Sequence, residues 1–404
     1  MLLKRAAIRC TVVANTLIIH HRSFTLLFYS TIILILAFLY NYLSSNKASA
    51  SNMATSVNSK KDAKILASFL RFQADYLLVY AIIMLADWMQ GTHMYTLYLS
   101  YDVSISTLFL TGFLSGAFFA PFLGSVVDRI GRRNSCVVYC VLEIVINVLE
   151  SFNNMPILLV GRVLGGISTN LLFTSFESWM TTEHRKRGFE ESWLPKTYSL
   201  TSVINGSTAV LAGIVAQLLE ESFGQIGPFH GAVALTAIAL LLILRWPENY
   251  GSADETVDKS EGTFTAVAKQ FKEGWRATLT DSAILRIGLI QALSEGAMYT
   301  FVFMWVPTLM SLAPNNTVPT GVVFSALMNS ITLGGLTYPL ISSYSKSDEH
   351  AAAACYALAA TAMAIPALCM HHSGECFHSV LGAFMLVEFS VGSFGPAAGK
   401  MRSK

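Results

Sequence analysis

Apolar residues in this chain come in runs too continuous for the single stripe that an ordinary surface helix turns toward a core. A helix rising 1.5 Å per residue needs about 20 mainly apolar residues to cross a hydrocarbon layer about 30 Å thick. Eleven stretches match that scale. One leading stretch, near 24–43, is set apart by the polar residues after it. Ten more follow at short intervals, near 76–97, 106–127, 135–149, 157–180, 197–219, 229–246, 282–310, 321–342, 351–370 and 377–396. The pattern predicts an all-α, polytopic chain. Its longest inner loop, 248–280, separates six spans from four, carries Asp254, Glu255, Asp258 and Glu261, and ends in an amphipathic stretch from Phe264 to Leu279 suited to a membrane surface. The expected organisation is a basic segment with a signal-anchor-like helix (1–43), a cytoplasmic linker (44–75), a first bundle of six helices (76–247), a central cytoplasmic loop (248–280) and a second bundle (281–404).

Composition agrees with this reading. The 404 residues are 53% hydrophobic and 13% charged, against about 25% charged in a typical soluble protein. A net charge of +2 provides no basic field for nucleic acid. Placement of the charges is more informative than their sum. Loops after the even spans hold Arg129, Arg132 and Arg133; Arg185, Lys186, Arg187 and Lys196; Arg245, Lys259, Lys269, Lys272 and Arg276; Lys346; and Lys400, Arg402 and Lys404. Loops after the odd spans hold no Lys or Arg, but do hold Asp102, Glu150, Glu220, Glu221 and Glu375. The even loops, and the linker with Lys47, Lys60, Lys61, Lys64 and Arg71, are therefore assigned to the cytoplasm. The sequon at Asn315 then falls in an outer loop, as an N-glycan acceptor would. Lys4, Arg5, Arg9 and Arg22 precede the leading apolar run, and no acid occurs before Asp62, the pattern of an uncleaved signal anchor or an organellar targeting peptide.

Enzyme chemistry has no residues to stand on. The chain contains no His-Glu-x-x-His, no P-loop and no Gly-x-Ser-x-Gly, so neither catalysis nor a cofactor is expected. Its six cysteines lack metal-ligand spacing, and Cys136 and Cys140, on one helix face, read as packing residues.

Gly124-Ser-Val-Val-Asp128-Arg129-Ile-Gly131-Arg132-Arg133, between spans two and three, resembles the G-x-x-x-D-R-x-G-R-R motif of the major facilitator superfamily, at the position that family places it. Gly161-Arg162-Val-Leu-Gly165-Gly166 in span four resembles a second motif of that family. A narrower set looks like the molybdate-anion transporter branch: Ala86-Asp87-Trp88, Ser175-Phe176-Glu177-Ser178-Trp179 with Glu183-His184 and Trp193, Ile290-Gln291-Ala292-Leu293, Phe303-Met304-Trp305-Val306-Pro307 and Leu386-Val387-Glu388. The resemblance implies a two-bundle fold in the cell membrane that imports an oxyanion, molybdate, by alternating access. In the motif, Gly124 would permit close helix approach and Asp128 would pair with basic groups at an inner gate. The family's second bundle has six spans, so the expected second bundle here lacks its last two helices. Two other readings stay open: the same fold carrying a sugar, a drug or another anion, and a membrane sensor or scaffold that does not transport.

Apart from Arg245, at the inner edge of span six and counted with its loop, only two basic residues, Arg162 and Arg286, fall inside the ten spans. Stripping water from a dianion demands cations or donors in return, so Arg162, Arg286, Asn205 and Gln291 are the substrate-binding candidates. Arg162 also has the alternative of pairing with an acid, and Arg286, near the inner end of span seven, that of snorkelling. Acids inside the spans are Asp87, Glu143, Glu177, Glu295 and Glu388. A central charge costs about 2.5–3.5 kcal/mol on insertion scales, so such groups face cavities or partners and often relay protons. Asp87, Glu177, Glu295 and Glu388 are the coupling candidates. Helical spacing puts Asp87, Gln90, Met94 and Tyr98 on one stripe of span one, and Gln291, Glu295 and Met298 on one stripe of span seven. Ser199, Ser202, Asn205 and Gly206 give span five a small polar face, and His93 lies near the outer end of span one.

Overall fold

A computed structural model describes residues 60–250, 272–276, 278–313, 316–369 and 376–402. The leading apolar segment, the Asn315 sequon and most of the central loop lie outside the described residues. All ten later spans are present as helices: α1 Lys60–Ser100, α2 Ile105–Ile130, α3 Arg132–Leu149, α4 Met155–Lys186, α5 Leu194–Phe223, α6 Gly227–Ile243, α7 Ser282–Leu312, α8 Thr320–Tyr344, α9 Asp348–Cys369 and α10 Phe377–Arg402. Eight are long and apolar enough to cross a membrane, while α6 is a shorter apolar helix and α3 opens with Arg132 and Arg133. Local signals set several starts: Asn154 caps α4 ahead of Pro156, and the Asp281 carboxylate accepts from the Ala283 and Ile284 amides at α7.

One boundary differs from the sequence reading. The linker becomes helical at Lys60 and runs unbroken into span one, giving α1 41 residues. The reason is aromatic packing. Phe69 and Phe72, ahead of the predicted span, and Tyr76 at its first position bury themselves against Trp179, Phe189 and Trp193, and Arg187 lies over the Phe72 ring at 4.9 Å. Trp179 stacks on Trp246 at 3.8 Å and its indole N–H donates to the Pro247 carbonyl, tying α4 to the chain that leaves α6.

In the first bundle, α1 packs on α5 and α6, α4 packs on α2 and α3, and α3 also meets α6. In the second, α10 packs on α8 and α9, while α7 touches α10 less extensively. The helix crossings rest on small residues. A Cβ on Gly166 would strike the Gly116 amide and Ser115 where α4 crosses α2, and one on Gly334 would strike the Phe389 carbonyl where α8 crosses α10.

Candidate functional site

The Gly124–Arg133 motif occupies the turn between α2 and α3. Gly131 has φ of +100°, and a Cβ there would lie 2.6 Å from Glu248 Cδ, so this position excludes side chains twice over. Glu248 explains the crowding: its carboxylate accepts from the backbone N–H groups of Arg133 and Asn134 at the α3 N-terminus, at 2.9 and 3.0 Å. Asp128 accepts from Arg132 at 2.9 Å, and Arg132 also donates to Thr182 on α4. Arg133 reaches the Leu244 carbonyl, while Arg129 is exposed. The basic ends of loops two, four and six thus meet at one end of the first bundle. Gly124 departs from its expected duty, since a Cβ there would meet nothing within 4 Å.

At the opposite end, Arg162 finds an acid. Its Nη2 donates to Glu150 Oε1 at 2.6 Å, its Nη1 faces Met94 Sδ at 2.8 Å, and the guanidinium lies 5.8 Å from the centre of the Tyr98 ring. Tyr98 donates its hydroxyl to Glu150 Oε1 at 2.9 Å, and Tyr101 donates to the Glu150 carbonyl. Arg162 therefore closes a clamp on α1, the end of α3 and α4, and its partner is an acid that the sequence places in a loop. Among the described residues Arg162 Nε and Glu150 Oε2 have no hydrogen-bond partner.

The stripe on α1 is real, but most of it faces inward within its own bundle. Gln90 donates to Glu143, Met94 meets Arg162 and Tyr98 meets Glu150, because the buried acids of α3 demand donors. Trp88 instead reaches the bundle boundary: its indole donates to Asn205 Oδ1 of α5 at 2.8 Å, and its ring lies 5.9 Å from that of Phe324 in the second bundle. His93 is fully buried rather than interfacial, with its Nε2 3.2 Å from Glu220 Oε2.

Contacts between the bundles run from the middle of the helices to their outer ends. Gly206 faces Thr332, Ser325 donates to the Val210 carbonyl at 2.8 Å, and the Gly321 amide donates to Gln217 Oε1 at 3.0 Å. A Cβ on Gly213 would strike Ser325 and the Gly321 carbonyl, so α5 and α8 cross at backbone contact. Of the polar face predicted for span five, Gly206 meets the second bundle, while Asn205 accepts from Trp88 of its own. On the other flank Phe109 lies 5.4 Å from Phe303, and Phe113 lies 4.6 Å from Tyr299, joining α2 to α7.

Toward the inner ends the first bundle borders an open cavity of about 370 Å³, lined by Arg132, Thr174, Glu177, Ser178, Thr181 and Arg185 among others. Glu177 is exposed there. In the second bundle Gln291 donates to Glu295 at 2.8 Å, and both line a mainly apolar cavity of about 910 Å³ between α7, α9 and α10. Arg286 is exposed and donates to the carbonyl of Ser282. Glu388 is 2% exposed, and its Oε2 has no partner among the described residues. Glu248 and Glu150 are the organising residues that sequence reasoning assigned only to loops; their signal was an acid directly after an apolar span.

Residues 37–389 match a family described as sugar transporters with 12 transmembrane segments. Curated relatives named molybdate-anion transporter include one from Xenopus tropicalis, 32% identical over 346 residues that cover 83% of this chain and 73% of the relative. Another, from Takifugu rubripes, is 30% identical over 84% of this chain and 74% of its own length. The nucleoside transporter NupG superposes with a TM-score of 0.63 at 12% identity, covering 80% of this chain and 79% of its own. A D-xylose-proton symporter does so at 0.53 and 12% identity, over 82% and 81%. The chain belongs to the molybdate-anion transporter family of the major facilitator superfamily, and is a multi-pass membrane transporter.

Proposed function

We propose that the protein imports an oxyanion, molybdate, across the cell membrane by alternating access, acting as a carrier and not as an enzyme. The observation that carries the mechanism is the distribution of contacts between the bundles. They are joined from the middle outward through α5–α8 and α2–α7, while at the inner end α4 leaves Glu177 and Arg185 exposed on an open groove of the first bundle. We read that as an inward-facing arrangement. Substrate identity is supported by the naming of relatives that align over 83% of the chain. In this reading the Gly213–Gly321 crossing is the outer gate, and the Asp128–Arg132 pair stiffens the inner end of the first bundle. The Arg162 clamp holds that bundle rigid as it rocks. Asn205, Gln291 and Arg286 remain the candidates for direct contact with the anion.

The test is uptake of labelled molybdate by proteoliposomes containing the full chain. Saturable uptake, competed by tungstate more than by sulfate and not by sugars, is the expected result. Uptake of a sugar that molybdate does not inhibit would transfer the assignment to the sugar reading favoured by the family description. A bulky residue at Gly213, which cannot coexist with Ser325 and Gly321, should block closure of the outer gate and lower uptake by about tenfold or more at matched expression.

A further inference from the structure

We propose that Glu220 is the positioning residue of the outer gate: it fixes the side-chain amide of Gln217 so that its oxygen holds the first turn of α8, and thereby sets how readily the bundles part at their outer ends. The inference rests on the outer-gate reading above and not on the identity of the cargo.

Gln217, Glu220 and Glu221 are spaced i, i+3 and i+4, so helical geometry brings both carboxylates to the amide. Gln217 Nε2 donates to Glu220 Oε2 at 2.9 Å and to Glu221 Oε1 at 3.2 Å. With both N–H bonds taken, the amide turns its oxygen to α8, where Oε1 accepts from the Gly321 N–H at 3.0 Å. The flipped amide would set oxygen against carboxylate and N–H against N–H, so one orientation alone fits. Gly321 is the second residue of α8, in the first turn, where amides have no acceptor within their own helix. Gln217, itself buried, supplies that acceptor from the other bundle. The bond lies about two helical turns outward of the one between Ser325 and Val210.

Glu220 is anchored in turn, and within the first bundle. His93 of α1, fully buried, places its Nε2 3.2 Å from Glu220 Oε2, and Gln225, in the turn before α6, donates to Oε1 at 2.6 Å. A carboxylate only accepts, so His93 Nε2 carries its hydrogen. Among the described residues the hydrogen bonds of Glu220 reach α1, α5 and the turn between α5 and α6, and none reaches α8. The route from Glu220 to the gate is therefore Gln217. A free glutamine side chain would lose its rotamer freedom each time the bundles closed, whereas one already held does not. Closure is favoured accordingly: the bond breaks and reforms in every cycle with its acceptor already aimed at the α8 amide.

The decisive experiment is double electron–electron resonance on the full chain in lipid nanodiscs, in a cysteine-free background with spin labels at Phe223→Cys and Thr317→Cys. Both positions are exposed, one at the outer end of α5 and the other just before α8. Gly213→Leu, which forces the crossing apart, is the control for the gate and should lengthen the label distance. Gln217→Ala should raise the ratio of long-distance to short-distance molecules by about three- to tenfold, the weight of one hydrogen bond. Glu220→Ala should raise it by about twofold or more, less than Gln217→Ala because Glu221 still holds one N–H. Glu220→Asp, which keeps the charge but draws the carboxylate back, should move it the same way and serves if the alanine variant does not fold. In a Gln217→Ala background neither change at position 220 should shift the ratio further, because the group it positions is gone. A long distance in Gly213→Leu with an unshifted ratio in the Glu220 variants would overturn the inference alone, as would a Glu220 effect that persists undiminished without Gln217. An unchanged distance in Gly213→Leu would refute the outer-gate reading and the inference with it.

Discussion

The two bundles use the same kind of helix in different ways. In the first, buried acids cross-link helices: Glu143 meets donors from three helices, and Glu150, through its Oε1 and its carbonyl, is shared by Arg162, Tyr98 and Tyr101. The second has a largely apolar core around Trp305, Leu309, Leu327 and Phe384, and its buried acid Glu388 ties no second helix through an Oε2 hydrogen bond among the described residues. The bundles differ in closure too. Helix α1 is flanked by α5 and α6, whereas α7, at the corresponding place, borders a cavity of about 910 Å³ and leaves Leu293 74% exposed. These polar cross-links make the first bundle a rigid body whose helices are locked to each other. The second is held by shape and apolar contact, which tolerate sliding and rotation more readily.

The largest effect that would break this contrast is at the clamp. Arg162→Gln strips the charge partner from a carboxylate that is almost fully buried, and removing one member of a buried pair costs about 3–5 kcal/mol. Loss of thermal stability and of surface expression is the expected outcome. Adding Glu150→Gln should recover most of it, because no lone charge is then left; Asp87→Asn or Glu177→Gln should not, since neither acid touches Arg162. Thermal unfolding of detergent-solubilised protein measures all four. A stable Arg162→Gln single variant would show that the clamp does not hold the bundle.

A subtler comparison applies one substitution to both bundles. Glu143→Gln turns an amide N–H₂ toward groups that are mostly donors, and an unsatisfied buried donor costs about 1–3 kcal/mol. Glu388→Gln replaces a carboxyl with no donor at Oε2, so it should stay within about 0.5 kcal/mol of wild type. Equal losses at the two sites would erase the distinction between a saturated and an unsaturated acid.

Much of the architecture was legible before any coordinate was known. All ten helices follow from run length, because lipid selects for uninterrupted apolar sequence, and the alternation of basic and acidic loops sorts their ends. Pairing was less legible. Periodicity placed Asp87, Gln90, Met94 and Tyr98 on one face, but a single helix does not say which neighbour that face meets. It turned out to face the acids of α3. Arg162 was singled out as a cation inside a span, yet its partner Glu150 and the anchor Glu248 both lie where a span meets a loop, and run-length reasoning treats such residues as solvated. The extension of α1 to Lys60 was missed because aromatic docking, not membrane burial, stabilises it.

The smallest expected effect belongs to the motif glycines, and it bears on the moving parts of the contrast. Gly124 and Gly131 stand in one motif, but the structure separates them. At Gly131 a side chain meets both a φ of +100° and the Glu248 carboxylate, so Gly131→Ala should be destabilising. At Gly124 a Cβ meets no atom within 4 Å, and replacing a helical glycine by alanine gains about 0.5–1 kcal/mol in backbone entropy. Gly124→Ala should therefore leave the melting temperature unchanged or raise it slightly. Measuring uptake at matched expression then gives the sharper answer. Unchanged uptake means that Gly124 has no close neighbour at any stage of the cycle. Lost uptake in a protein of normal stability means that Gly124 is approached only when the inner ends close, which would put the close helix contact expected of the motif in the outward-facing state.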